Sequence, residues 1–284
     1  MRLELGEHVI DCTSRTAIMG ILNISDDSPV TTSIAGAGDA RERALALVAE
    51  GADVIDVGAN STAANKRELT PQEEIERVCP VIEALAAEGV PTSVDTWTAE
   101  VARAAAQAGA DLLNDVTGFS DPAMVAVAAE FRLATCVMHM RGRPKHHWEV
   151  DQSYEQIAPE VQAFLLDAAA ALERAGAGQV WLDPGFAFGK SPRDNVRLLR
   201  GLPRLVATGY PVLVSASRKG FLNQLLGRDD DQYATGILAA TVAFNTLAAQ
   251  MGAHIVRVHD VAAIADALKI VDAVRASVAE RVAD

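Results

Sequence analysis

At 284 residues, half of them hydrophobic, the chain has the size of one large α/β domain, and its net charge of −13 argues against a phosphate backbone as partner. Its three cysteines, Cys12, Cys79 and Cys136, lie far apart among apolar neighbours, which suits buried thiols better than a disulfide framework. The opening MRLE lacks a basic head before an apolar core, and no run approaches the roughly 20 apolar residues that cross a bilayer. The expectation is a cytoplasmic protein with neither membrane nor nucleic acid as partner.

Short apolar runs bounded by turn residues recur along the chain, most of them followed by an alanine-rich segment of helical spacing. That alternation implies parallel strands joined by crossover helices. In order it predicts a strand over 17–23, a helix over 41–50, a strand over 54–58, a helix over 71–87, a strand over 92–95 and a helix over 99–108. Strands over 112–116 and 135–140 follow, then a helix over 154–174, strands over 180–183 and 212–217, a helix over 233–249 and a strand over 255–260. Gly51, Gly89, Gly109, Gly176 and Gly252 stand where helices should stop. Eight strands suit a (β/α)8 TIM barrel, expected as a single domain over residues 1–284. A doubly wound open sheet is the competing architecture, which periodicity alone leaves open.

Nearly every predicted strand ends in polar residues: Asn23, Asp56, Asp95, Asn114 with Asp115, His139, Asp183, Ser217, and Arg257 with His259. In a barrel those ends share one rim, where active sites of this fold lie. Singly each is better explained as a helix cap or turn, as Asp183-Pro184-Gly185 shows. Together they form a constellation of carboxylates, an amide, a lysine and an Arg-x-His pair. Other motifs fall away. The string from Gly185 to Ser191 has three residues between its glycines, where a phosphate loop needs four. His139, His146 and His147 lack a second ligand cluster and read as a solvated loop. No Gly-x-Ser-x-Gly elbow supports a serine hydrolase.

The segments IMGILN (18–23), GADVIDVGANST (51–62), SVDT (93–96), LLNDVTG (112–118), MHMRGRP (138–144), LDPGFAFGK (182–190), SRKGF (217–221) and VRVHDV (256–261) resemble the dihydropteroate synthase family, in the family's order and over nearly the whole chain. The resemblance implies a (β/α) barrel, usually a homodimer, that joins 6-hydroxymethyl-dihydropterin pyrophosphate to p-aminobenzoate and releases pyrophosphate with help from magnesium. It also implies roles. Asp95, Asn114, Asp183 and Lys219 would grip the pterin ring, whose adjacent N–H donors suit a carboxylate. Asn23, Thr62, Ser217, Arg257 and His259 would surround the pyrophosphate, with Asn23 also the magnesium ligand. Lys219, Arg257 and His259 would be catalytic, the last two stabilising charge as the C–O bond breaks. For Arg257 and His259 the structural alternative is a rim salt bridge.

Two loops depart from the family pattern. After Asn23 the family's Val-Thr-Pro-Asp-Ser-Phe-Ser-Asp-Gly-Gly is here Ile24-Ser25-Asp26-Asp27-Ser28-Pro29-Val30-Thr31-Thr32-Ser33, keeping Asp27 and Ser28 but replacing an aromatic residue by Pro29 and an aspartate by Thr31. Glu-Ser-Thr-Arg-Pro-Gly becomes Asn60-Ser61-Thr62-Ala63-Ala64-Asn65, without the arginine, unless Lys66 or Arg67 replaces it. An aromatic wall and an arginine suit a benzoate, so the acceptor site should be weakened while the pterin end is intact. Three functions follow: a transferase of this type with an amine or aryl acceptor, a reduced-folate-dependent one-carbon transferase, and a non-catalytic pterin-binding paralogue.

Overall fold

The structure, a computed structural model, describes residues 1–24, 39–62, 66–228 and 237–283, with side chains as far as Ser277. The loop positions 26–33 and 63–65, and the expected helix start at 233–236, lie outside the described residues.

The chain opens with an antiparallel hairpin, β1 (Arg2–Leu5) and β2 (His8–Asp11), that the apolar runs did not predict. Its strands are short and alternate: Leu3, Leu5 and Ile10 are buried while Glu4 and Val9 face outward. Eight parallel strands follow: β3 (Ala17–Asn23), β4 (Val54–Gly58), β5 (Thr92–Asp95), β6 (Leu112–Asp115), β7 (Ala134–Met138), β8 (Val180–Asp183), β9 (Leu213–Val214) and β10 (Ile255–Val258). They pair in the order β8-β7-β6-β5-β4-β3-β10-β9. A parallel bridge between Leu182 and Val212 joins the two ends, where the Leu182 N–H donates to the Pro211 carbonyl at 2.8 Å. The sheet is therefore a barrel, and the open-sheet alternative is excluded.

Around it run α1 (Ala40–Glu50), α2 (Pro71–Ala87), α3 (Ala99–Gln107), α4 (Pro122–Phe131), α5 (Ile157–Ala175), α6 (Pro192–Arg200), α7 (Leu202–Val206), α8 (Gly220–Leu225), α9 (Leu238–Gln250) and α10 (Val261–Ala283). Local chemistry sets their starts. At α2, the Thr70 hydroxyl accepts from the Glu73 N–H at 3.3 Å, the Glu73 carboxylate accepts from the Thr70 N–H at 2.8 Å, and Pro71 occupies the first turn. No helix among the described residues is long and apolar enough to cross a membrane.

Strand alternation divides the side chains cleanly. Ile18, Leu22, Ile55, Val57, Val94, Leu113, Val137, Val180, Leu182, Val214, Val256 and Val258 face the helices in one large core. Ala17, Met19, Val54, Leu112, Ala134, Cys136, Trp181, Leu213 and Ile255 have the other parity and pack inside the barrel against Leu3, Leu5, Ile10 and Cys12 of the hairpin and its flank. The hairpin thus closes the end where the strands begin. All three thiols are free; Cys12 and Cys136 are buried and Cys79 is partly so.

Candidate active site

Two residues along from this apolar floor the interior turns polar. Val54 gives way to Asp56, Leu112 to Asn114, Trp181 to Asp183 and Ile255 to Arg257, a climb of about 6.6 Å along each strand. These side chains converge. Arg257 Nε donates to Asp56 Oδ2 at 2.6 Å, Arg257 Nη2 donates to Asp95 Oδ2 at 2.7 Å, and Asn114 Nδ2 donates to Asp56 Oδ2 at 3.2 Å. Asp56 is fully buried. One guanidinium thus joins the ends of β4, β5 and β10.

Asp183 is aimed by a tight turn. The Gly185 N–H donates to its Oδ1 at 2.7 Å, and Gly185 sits at φ +68°, where a Cβ would stand 2.1 Å from the His139 carbonyl oxygen. Only glycine fits there. Lys190, buried behind the turn, donates to the carbonyls of Gly185 at 2.6 Å and His139 at 3.1 Å. Burial drives its pKa down to about 7, although Asp183 favours its charge.

Past β9 the backbone leaves the ladder. The predicted strand over 212–217 is reduced to two residues because Ser215, Ala216 and Ser217 build the rim instead. Arg218 follows at φ +52°, its N–H donating to Thr241 Oγ1 at 3.1 Å and its guanidinium pairing with Asp260. Ser217 and His259 share a hydrogen bond between Oγ and Nδ1 at 2.9 Å. The Lys219 ammonium lies 4.5 Å from the Phe188 ring centroid, in cation–π range. Phe188 and Trp97 pack on Val116, Met138 and Met140, an apolar patch at the mouth.

The electrostatics follow from burial. It raises the Asp183 carboxyl to about 6 against the nearby cations, and lowers Lys219 to about 8 with help from Arg257. Asp95 is raised by burial and then by the charges of Asp56 and Glu74, with Arg257 opposing. Burial and the cations Arg257, Lys219 and Arg218 hold the His259 imidazole well below its ordinary value, hence neutral. Burial works against the Arg257 charge, but Asp56 and Asp95 outweigh it. Groups whose pKa values are pushed apart in one cleft mark a functional site.

Of the residues expected at the site, Asp95, Asn114, Asp183, Ser217, Lys219, Arg257 and His259 gather around one mouth. Asn23 ends β3 opposite Gly58 with inward parity, and Thr62 is half-buried after β4; among the described residues no hydrogen bond ties either to the others. The rim salt bridge weighed for Arg257 is present, since its Nε and one Nη are taken by carboxylates. Arg67, one of the two residues that could replace the lost arginine, pairs with Glu73 at 2.8 and 3.0 Å. The solvated-loop expectation for the histidines is corrected: His139 is buried against Phe164, and His146 and His147 are both half-buried.

Sequence reading gave Asp56 no role, although an acid inside an otherwise apolar five-residue strand is a signal. It also passed over Phe188 and Glu74, a buried carboxylate that accepts from Asn60 Nδ2 at 3.4 Å. For magnesium, the described residues hold no group of three His, Cys, Asp or Glu. The Asn23 amide oxygen fits a metal of the kind that binds through one or two protein oxygens and substrate phosphates.

A closed parallel barrel with carboxylates, an amide and cations converging where its strands end is an enzyme of the (β/α)8 class. Residues 19–259 match the family of pterin binding enzymes. A dihydropteroate synthase of Mycobacterium leprae is 42% identical over 265 residues, 90% of this chain and 92% of that one. The crystal structure of dihydropteroate synthase from Thermus thermophilus in complex with 4-aminobenzoate is similar with a TM-score of 0.85 at 41% identity, covering 96% of this chain and 99% of that one. The structure of that enzyme in complex with 6HMPPP gives 0.83 at 40%, covering 96% and 98%. The chain belongs to the dihydropteroate synthase family of pterin-binding enzymes, which are transferases.

Proposed function

We propose that this transferase joins the methylene of 6-hydroxymethyl-dihydropterin pyrophosphate to an amine or aryl acceptor and releases pyrophosphate. The observation that supports it most is the polar layer of Asp95, Asn114, Asp183 and Lys219 above a dry floor, in a chain whose relatives are synthases. Asp183 accepts from the N–H donors of the pyrimidine edge, Asn114 meets the 2-amino group and its neighbouring nitrogen, Asp95 the reduced half and Lys219 the ring carbonyl. Asn23, Thr62, Ser217, Arg257 and His259 surround the pyrophosphate.

The C–O bond ionises, and the bonding pair leaves with the pyrophosphate. Arg257, Lys219 and a neutral His259 stabilise that growing charge. The acceptor's lone pair then captures the methylene carbon, and the proton it loses passes to solvent. Asn23 would hold magnesium, which would supply charge neutralisation at the pyrophosphate. The relatives favour this reading over transfer of a folate one-carbon unit. We infer that the acceptor is the point of departure from the family, since Pro29, Thr31, Ala63 and Ala64 replace the residues suited to a benzoate.

We also infer a homodimer in the cytoplasm. Exposed apolar side chains on three successive helices, Leu225 of α8, Leu247 of α9 and Ile270 of α10, support self-association, which sedimentation will test. The main experiment measures pyrophosphate release from the pterin substrate with p-aminobenzoate and with a panel of aryl amines. Release with at least one acceptor is expected, and none with any acceptor overturns the proposal.

A further inference from the structure

Asn114 is not free to choose which end of its amide faces the ligand. Its nitrogen lies 3.2 Å from Asp56 Oδ2. Asp56 is one half of an ion pair with Arg257, and a carboxylate in that state only accepts hydrogen bonds. The amide nitrogen must therefore face Asp56, which turns the carbonyl oxygen away, where no hydrogen bond among the described residues occupies it.

Arg257 already has a carboxylate partner in Asp95, so pairing that cation does not by itself require a second one at Asp56. Asp56 bears the whole cost of burial, and its Oδ1 has no hydrogen-bond partner. Its described side-chain bonds all use Oδ2 and go to Asn114 and Arg257. Buried ion pairs of this kind are often replaced by apolar groups without loss of stability, so the charge calls for another explanation. Orienting a reader of the ligand is one.

We propose that Asp56 is a positioning residue that fixes the hydrogen-bonding polarity of Asn114 and so sets the pocket's preference for a 2-amino ring over its 2-oxo counterpart. The inference rests on the reading in which Asn114 meets the 2-amino group of a pterin. That amine donates, and the fixed carbonyl oxygen accepts. A 2-oxo ring presents a carbonyl there and sets two acceptors against each other.

The test is calorimetric titration of 6-hydroxymethylpterin and 6-hydroxymethyllumazine into the wild-type protein, Asp56→Ser and Asp56→Asn. A hydroxyl at position 56 can accept from Arg257 and donate to Asn114, so Asn114 becomes free to turn over. An amide must keep its oxygen toward Arg257 Nε, which only donates, so Asp56→Asn should hold Asn114 as wild type does. Wild type should prefer the pterin by about 100-fold, in line with sites whose buried polar groups are left unpaired by the wrong ligand. In Asp56→Ser that ratio should fall about tenfold or more, while Asp56→Asn keeps it. A serine variant that weakens both rings equally, keeping the ratio, overturns the proposal and makes Asp56 an anchor for Arg257 alone. Should Asp56→Ser not fold, Asp56→Ala is titrated in the same way, because it removes the acceptor altogether. If wild type binds neither ring, the pterin reading itself fails and this inference falls with it.

Discussion

Ser217 and His259 are joined twice: the His259 main-chain N–H donates to Ser217 Oγ at 3.1 Å, and the same oxygen lies 2.9 Å from His259 Nδ1. The hydroxyl can donate to Nδ1 while it accepts from the main-chain N–H, and in that arrangement the ring carries its proton on Nε2, facing away from Ser217. A neutral imidazole then still offers a donor to an anion. Ser217→Ala frees the tautomer, so pyrophosphate release should slow by roughly tenfold or more. Stability should fall by only about 1 kcal/mol, as for one lost hydrogen bond. Steady-state rates and thermal melts check the two together.

Asp183 should cost stability in the pH range where it works. Its folded pKa of about 6 lies above the ordinary 3.8. The contribution of such a raised group is fully present below pH 3.8 and is lost as pH rises through about 6. Asp183→Asn removes that loss, so the variant should exceed wild type by roughly 2–3 kcal/mol at pH 8 and by little near pH 4. Denaturant titrations at both pH values measure it. Pterin binding should vanish in the same variant.

The pH profile of kcat/KM should be bell-shaped and narrow. Asp95, raised by burial and by Asp56 and Glu74, must lose its proton to accept from the ring, which sets the rising limb above the ordinary carboxylate range. Lys219 at about 8 loses its charge on the falling limb. Asp95→Asn should move the rising limb down to that of Asp183, at about 6, and leave the decline above about pH 8 in place.

Gly185→Ala meets a wall. The φ of +68° disfavours any side chain, and the Cβ would stand 2.1 Å from the His139 carbonyl and 3.2 Å from Lys190 Nζ. The turn that aims Asp183 must shift, at about 2–4 kcal/mol. Thermal denaturation should show the loss, and pterin affinity should drop with it.

Restoring the family's loop residues should restore its acceptor. Pro29→Phe combined with Ala63→Arg returns an aromatic wall and a carboxylate partner. The KM for p-aminobenzoate should fall by about tenfold or more, with the KM for the pterin substrate unchanged. An unchanged KM for the acceptor places the departure elsewhere.

Periodicity located β3, β4, β5 and β8 to the residue, each a short run closed by a polar residue or a glycine. It missed the N-terminal hairpin, where four-residue strands bury only alternate side chains, and α4, α6, α7, α8 and α10, which it did not single out. Within the site, motif likeness brought Asp95, Asn114, Asp183, Lys219 and Arg257 to one rim. It could not show that Arg257 is shared between Asp56 and Asp95, partners 201 and 162 positions away. Nor could it orient Asn114, since that depends on which neighbour is a pure acceptor. Contacts of that range are products of closure, and closure is not written in any local run.

The change from Val54 to Asp56, and from Trp181 to Asp183, sets an insulator directly beneath a set of charges. Below, hairpin and floor present buried apolar side chains with no charge to answer them, and around them the strand walls carry aliphatic residues. Field lines from the carboxylates and from Arg257 and Lys219 must then leave by the mouth, the one direction in which a ligand arrives. A barrel stoppered at one end is in this sense a lens, and widening its floor with water would dim it. Leu5→Ser or Trp181→Ala, both in the apolar floor beneath the polar layer, should therefore reach the chemistry through the medium rather than through contact.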